Sequence, residues 1–336
     1  MNLAGIKTLV TGSDGFIGSH LVEELVCRGC HVKALAFYNS FGSSGWLEYL
    51  PSEVHNQVEI VFGDIRDADF VMNVMRGCQV VFHLAALVGI PYSYQAPASY
   101  VDTNVRGTLH VLQAAQTLGT DRVIHTSTSE VYGTAQFVPI TESHPLRAQS
   151  PYAATKIGAD QLALSFHDAF GAPVSIVRPF NTFGPRQSLR AVIPTIISQI
   201  ASGNRKLKLG ALHPTRDFTY VKDTVRGFTA IAEADTSVGK VVNVGSNYEI
   251  SIAQLVQLIA DVMGVHVEVE TESTRLRPAE SEVERLWADN SLARTYFGWT
   301  PHYVGRDGLR SGLKETADWF INEDNLKHYH PQRYGV

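Results

Sequence analysis

Apolar residues along this chain fall into short runs, separated by longer stretches in which they recur every three or four positions. Ile6 to Val10, His31 to Phe37, Val58 to Phe62, Val80 to Leu84, Arg122 to His125 and Val174 to Val177 are runs of the first kind. They have the length of strands and are apolar enough to be covered on both faces, as parallel strands are. Between them the spacing turns helical. One helix is predicted up to about Arg28, and another from Ser99 through Gln116 with Val105, Leu109 and Leu112 on one face. A third opens at Pro151, whose missing N–H suits a first helical turn. Strand and helix alternating in this way predict an α/β protein with a doubly wound parallel sheet of the Rossmann type.

After Val177 the pattern loosens. A helix is expected over Ala191–Ala201, a short strand over Lys206–Leu209 and an extended piece over Arg216–Val221. Another helix is expected over Ser251–Met263 and a strand over Val265–Glu270. The expected division is a nucleotide-binding domain over residues 1–178 and a smaller α/β substrate domain over 179–336, with interleaved chain segments.

Composition excludes more than it selects. At 336 residues, 44% hydrophobic and 18% charged, the chain has an ordinary globular make-up. A net charge of -5 with no basic block argues against a nucleic-acid partner. No apolar run approaches membrane-spanning length and the first residues lack a signal peptide's pattern, so the expected location is the cytoplasm. Cys27 and Cys30 have redox-motif spacing, but they fall where a helix gives way to a strand, which makes reduced packing cysteines the better reading. His83 is read as a packed core histidine, and no metal site is expected.

Candidate chemistry lies at the strand ends. Gly12, Gly15 and Gly18 follow the first strand and open the first helix, the context in which backbone amides and a helix N-terminus receive a pyrophosphate. The second strand ends in Tyr38-Asn39-Ser40, with neither an acid for a ribose nor a cation for a 2′-phosphate. Asn39 and Ser40 can meet either group; the missing cation favours NAD, and NADP stays open. Asp64 ends the third strand, within reach of an adenine amine, and Ala85-Ala86 leave room for a passing cofactor. Thr126-Ser127-Thr128-Ser129-Glu130 ends the fifth strand, where ligands bind in open sheets. Tyr152 and Lys156 share a helix face, an arrangement in which a cation beside a phenol favours the phenolate and makes a general base. Arg186, Arg190, Arg216, Arg277 and Arg285 suggest a diphosphate pocket.

Those residues carry a resemblance. Thr11-Gly12 through Gly18, Tyr152 with Lys156, Arg178-Pro179-Phe180-Asn181 and Arg216 through Asp223 resemble the extended short-chain dehydrogenase/reductases that act on nucleotide sugars. The resemblance implies a bound dinucleotide held by Gly12, Asp14, Gly15, Phe16, Ile17, Gly18, Asn39, Ser40, Asp64 and Ile65. Further cofactor contacts would come from Leu84, Ala85, Ala86, Asn104, Thr126, Tyr152, Lys156, Pro179 and Asn181. A nucleotide-diphospho-sugar would meet Thr128, Asn181, Arg190, Arg216, Arg277 and Arg285, and a homodimer through two helices of the first domain is implied.

Thr128-Ser129-Glu130 is similar to the sugar-nucleotide 4,6-dehydratases. There Thr128 would hold the sugar's 4-hydroxyl, Tyr152 remove its proton, Lys156 bind the ribose and lower the Tyr152 pKa, and Glu130 take the proton at carbon 5. Ser129 stands where the deoxythymidine-diphosphate-glucose branch has an aspartic acid, and a serine hydroxyl is too weak an acid to serve. Either Glu130 does both jobs or water assists. Tyr38-Asn39-Ser40, Ile90 through Tyr94 and Ser281 through Leu286 resemble the legionaminic-acid-pathway dehydratases, which act on a GDP- or UDP-linked N-acetylglucosamine. The expected activity is therefore a nucleotide-diphospho-N-acetylglucosamine 4,6-dehydratase, a lyase. UDP-glucuronate decarboxylase is the alternative, followed by a 4-epimerase and by a catalytically idle sugar-nucleotide sensor.

Overall fold

The computed structural model describes residues 1–327 and Tyr329; residues 328 and 330–336, which end the expected second domain, lie outside them. The six apolar runs form six strands: β1 Lys7–Thr11, β2 His31–Phe37, β3 Val58–Gly63, β4 Val80–His83, β5 Arg122–Thr126 and β6 Val174–Pro179. A seventh strand, Val241–Val244, comes from far beyond residue 179 and pairs with β6. The order across the sheet is Val241–Val244, β6, β5, β4, β1, β2, β3, and every pairing is parallel. The order in which strands are added reverses between β1 and β4, which opens a crevice at the strands' carboxyl ends.

Two cores sit on the two faces because successive side chains point oppositely. Val10, Phe82, Ile124 and Val177 join the core that includes Leu21, Leu25 and Phe228. Their neighbours Leu9, Val81, Val123 and Ile176 join Val111, Leu112, Ala163 and Phe166 on the other face. The helix Phe16–Cys27 covers the first face together with Val221–Glu233. Gly107–Leu118 and Pro151–Phe170 cover the second.

The helix expected over Ser99–Gln116 is not uniform. An α turn, Pro97–Tyr100, leads into a π-helical segment, Val101–Arg106, before α geometry resumes at Gly107. The wider turn contains the buried Asn104, whose side chain it directs to two backbone groups and one hydroxyl.

Smaller sheets build the far side of the crevice. Thr215–Asp217 is flanked by Glu249–Ser251 (antiparallel) and Arg285–Leu286 (parallel), and Lys206–Leu209 pairs with Glu268–Thr271. The expected Arg216–Val221 segment thus contains two short strands, Thr215–Asp217 and Thr219–Tyr220, before Val221 starts a helix. Cys27, Cys30 and Cys78 are free thiols, and Cys30 is buried with its Sγ directed at the Leu3 carbonyl. Among the described residues no helix is long and apolar enough to cross a membrane, and no cluster of potential metal ligands occurs.

Candidate active site

Strand β5 delivers Thr126 to the crevice, and the chain then turns sharply over Ser129–Tyr132. Thr128 caps that turn, its Oγ1 accepting from Glu130 N at 3.2 Å. Ser150 caps the Pro151–Phe170 helix in the same way, accepting from Ala153 N at 3.1 Å. These two caps bring Thr128 into hydrogen-bonding contact with the Tyr152 phenol. Both Tyr152 and Lys156 are buried.

Their electrostatics are dominated by burial. Burial pushes the Tyr152 phenol well up, the Thr128 hydrogen bond opposes the rise, and the nearby Glu130, Tyr100 and Asp160 add to it. Burial likewise pushes the Lys156 ammonium down to about 8, with the Asp160 carboxylate holding it up. Lys156 therefore does not by itself lower Tyr152 below its ordinary range, because removing the phenolate from water outweighs a cation that is itself destabilised.

The floor beneath this pair is fully committed. Thr108 Oγ1 donates to the Asn104 carbonyl at 2.7 Å, so it accepts from His83 Nε2 at 3.0 Å. His83 Nδ1 then accepts from Thr11 Oγ1 at 2.8 Å, and Thr11 Oγ1 accepts from the amides of Leu84 and Ala85, both at 3.1 Å. This fixes one tautomer of a neutral, buried histidine whose pKa lies well below its usual value, which is the packing role read from the sequence.

Asn104 is a brace and not a free cofactor contact. Its Oδ1 accepts from Leu87 N at 2.8 Å, and its Nδ2 donates to Leu87 O and Thr155 Oγ1, each at 3.0 Å.

The cofactor cleft lies over β1 and β2. Gly12 has φ +68°, and a side chain there would set its β-carbon 2.8 Å from the Ala85 backbone. At Gly18 a β-carbon would fall 2.2 Å from Gly12 O, so only glycine allows this helix so close to the turn. Asp14 accepts from Phe37 N at 3.2 Å, which puts a carboxylate at the end of β2. Phe16 and Ile17 begin the helix behind the turn, and Ile65 is buried against Gly107.

Two expected contacts are spent elsewhere. Asn39 donates to Phe37 O and Ser43 O and accepts from Phe41 N and Ser43 N, so all its hydrogen-bonding positions staple its own loop. Asp64 is gripped by Arg66, with contacts of 2.9 and 3.0 Å to its Nε. Ser40 is exposed.

Across the crevice, a cavity of about 700 Å³ is lined by Tyr152, Asn181, Arg190, Arg216 and Arg277. Asn181 Nδ2 is buried with no hydrogen-bond partner, as is Thr126 Oγ1. Arg216 Nη2 donates to Glu282 Oε1 at 3.2 Å, and Arg277 Nη1 lies 3.8 Å from Glu130 Oε2. Arg285 is not part of this cavity: it forks onto Glu249 and lies against Trp287 on the outside. Arg186 is also excluded, because it bonds Glu23 at 2.8 Å and Ser19 on the first helix.

Glu282 lines the cavity and Asp160 continues the Tyr152–Lys156 row, and sequence reasoning singled out neither. Asp160 is four residues beyond Lys156, a helical spacing that signalled its position. Glu282 stood in a stretch noted only for its resemblance. Gln149 and Ser281 were missed too. Gln149 donates to Glu280 O and Glu282 O at 3.0 Å, Ser281 Oγ donates to Gln149 O at 2.5 Å, and Tyr94 OH meets Ser281 Oγ. Together they strap the Glu280–Glu282 segment over the cavity edge. Nothing short of the tertiary structure signals that contact.

Residues 9–311 match the family model described as GDP-mannose 4,6 dehydratase. The UDP-glucose 4-epimerase of Mycolicibacterium smegmatis is 34% identical over 324 residues, covering 95% of this chain and 99% of that one. A dTDP-glucose 4,6-dehydratase from Streptomyces venezuelae, solved with NAD bound, superposes with a TM-score of 0.84 at 29% identity and covers 98% and 100% of the two chains. A UDP-glucuronic acid 4-epimerase from Bacillus cereus, in complex with UDP-glucuronic acid and NAD, gives 0.84 at 29% identity and covers 96% and 100%. The chain belongs to the GDP-mannose 4,6-dehydratase family, within the extended short-chain dehydrogenase/reductases, and is an enzyme of the nucleotide-sugar dehydratase and epimerase class.

Proposed function

We propose that this enzyme is a nucleotide-diphospho-sugar 4,6-dehydratase whose substrate is a nucleotide-linked N-acetylglucosamine. One observation carries the choice of reaction. Glu130, a carboxylate, stands on the turn next to the Thr128–Tyr152 pair and 3.8 Å from Arg277 of the arginine-lined cavity. Exchange of configuration at carbon 4 needs no base at carbon 5, whereas dehydration does.

The residues fit NAD. A glycine turn without room for a β-carbon, the Asp14 carboxylate at the end of β2, and the unpartnered Asn181 Nδ2 and Thr126 Oγ1 suit a dinucleotide lying along the crevice. NAD supplies the acceptor, and afterwards the donor, of the hydride that moves from carbon 4 to carbon 6. Thr128 positions the 4-hydroxyl and Tyr152 takes its proton, leaving a ketone at carbon 4. The carbon 5 proton, now acidic beside that ketone, goes to Glu130, and the carbon 6 hydroxyl departs as water. Ser129, buried on the same turn, has no acidity to offer, so Glu130 passes its proton to that leaving group; as the hydride reaches carbon 6 a solvent-exchanged proton, balancing the one Tyr152 took, returns to carbon 5. Arg190, Arg216 and Arg277 hold the diphosphate.

In this reading residues 1–178 carry the cofactor and the catalytic groups, and 179–336 carry the sugar nucleotide, with Val241–Val244 returned to the large sheet. Gly107–Leu118 and Pro151–Phe170 would form the homodimer contact; Val101 and Phe170 are exposed near them. A 4-epimerase is the second reading, favoured by the 34% identity to the Mycolicibacterium smegmatis epimerase.

Turnover of GDP- and UDP-N-acetylglucosamine in heavy water, read by mass spectrometry and NMR, decides among these. Dehydration gives a product lighter by one water, with deuterium at carbon 5. A product of unchanged mass and inverted carbon 4 would replace the dehydratase by the epimerase. Carbon dioxide from UDP-glucuronate, with no conversion of either hexosamine, would replace it by a decarboxylase.

A further inference from the structure

Asp160 is a fully buried carboxylate that none of those steps uses. Tyr152, Lys156 and Asp160 follow one another at a spacing of four and so form one row along the helix. Asp160 Oδ2 accepts from Ser127 Oγ at 2.7 Å, from Arg178 Nη2 at 2.9 Å and from Arg178 Nε at 3.2 Å. Its Oδ1 faces His125 Nε2 at 3.3 Å. Arg178 Nη1 continues to Tyr132 OH at 3.0 Å, and that hydroxyl donates to Asn243 Oδ1 at 2.7 Å.

We propose that Asp160 is a positioning residue for the chemistry at Tyr152: it anchors Ser127, and with it the Thr128 turn, and it places a negative charge one helical turn from Lys156. The inference rests on the roles given to Tyr152 and Lys156 above. A charge buried this deeply persists only with partners, and here the partners are the elements that frame the site. Ser127 immediately precedes Thr128, so fixing its hydroxyl to the catalytic helix sets the distance from that turn to Tyr152. Arg178 ties the same carboxylate to β6, and through Tyr132 to the end of the Ser129–Tyr132 turn.

The charge acts along the row. Among the described residues no carboxylate forms an ion pair with Lys156, and Asp160 is the acid that supports its protonation. The other groups facing this interior are His83 on β4, His125 on β5, Arg178 on β6, and Glu130 and Tyr132 on the turn. Both histidines are held neutral by burial. Arg178 is the guanidinium that favours the charged form of Asp160.

Pulsed acetylation of the holoenzyme across pH, with mass spectrometry of the Lys156 peptide, reads that charge directly, because only the free amine reacts. The pH dependence of turnover is read alongside it. Asp160→Asn should lower the labelling midpoint and the basic limb of kcat by about one pH unit, the size of effect expected from a nearby opposite charge. Asp160→Glu, which keeps the charge, should restore the midpoint. Ser127→Ala should lower kcat by about tenfold through misplacement, with neither midpoint moved.

A folded Asp160→Asn protein with the wild-type labelling midpoint overturns the proposal. If Asp160→Asn does not fold, Ser127→Ala decides alone, and a folded Ser127→Ala protein with the wild-type kcat overturns the proposal equally. A wild-type enzyme that converts no sugar nucleotide would remove the proposed function, while the labelling would still answer for Asp160.

Discussion

Arg277 Nη1 lies 3.8 Å from Glu130 Oε2 and 3.9 Å from Glu282 Oε1, and Glu282 in turn accepts from Arg216 at 3.2 Å. Charges therefore alternate from the proposed base to the proposed diphosphate site. A diphosphate entering the cavity competes with Glu130 and Glu282 for the same two guanidinium groups. Arg277→Met should accordingly raise KM by about tenfold or more, in line with a charge-assisted hydrogen bond of roughly 1.5–3 kcal/mol. Isothermal titration with the nucleoside diphosphate checks this. Unchanged affinity would remove Arg277 from the substrate site.

Glu130→Gln keeps the shape of the side chain and the Thr128 cap, which is made to the backbone amide of residue 130. It removes the ability to take a proton, together with the charge that Arg277 and Tyr152 face. Product formation should fall by ~10²–10⁴, the usual contribution of a positioned base, while bound NAD content stays at the wild-type level. Stopped-time assays with quantified cofactor release test both halves. A loss of less than about tenfold would be too small for a positioned base and would leave Glu130 a structural role.

The end of β2 discriminates between cofactors. Asp14 puts a carboxylate beside Phe37 N, Asn39 is consumed by its own loop, and burial pushes the Asp14 carboxyl up. A 2′-phosphate brought there would meet an acid. Enzyme stripped of cofactor should bind NAD at least about tenfold more tightly than NADP, a difference of roughly 1.4 kcal/mol. Equal affinity in fluorescence titrations would contradict this account of the cleft.

The alternating pattern made the large sheet legible because a parallel strand buried on both faces has few alternatives: β1 to β6 fall where the runs fall. The glycine turn and the Tyr152–Lys156 row were legible for the same local reason. What escaped was set by long-range partners. Val241–Val244 is as short as many loops and becomes a strand only because β6 offers an open edge. Asn39 and Asp64 sit where a cofactor passes, yet neighbours two to four residues away capture their side chains. Arg285 has the same composition cue as Arg216, and only the pairing of Arg285–Leu286 with Thr215–Asp217 shows that it faces Glu249 outside the cavity.

Asp217, next to Arg216, supports the cavity from behind. Its Oδ1 accepts from Ser246 N at 2.8 Å and Ser246 Oγ at 2.6 Å, and its Oδ2 accepts from Asn247 N at 2.9 Å and Ala288 N at 3.2 Å. Burial pushes this carboxyl up to about 6, against four donors that favour its charge. An asparagine has a single acceptor oxygen, so either orientation of Asp217→Asn turns an NH2 group toward at least one backbone N–H. A buried donor left unpaired costs about 1–3 kcal/mol, more when the lost partner was charged. The substitution should therefore destabilise the protein by about 3 kcal/mol. Because Asp217 fixes the strand that presents Arg216, it should raise KM more than it lowers kcat. Denaturant unfolding and steady-state kinetics on the same preparation measure the two effects. An unchanged unfolding midpoint would show that the four donors find other partners, and would leave Arg216 positioned by Glu282 alone.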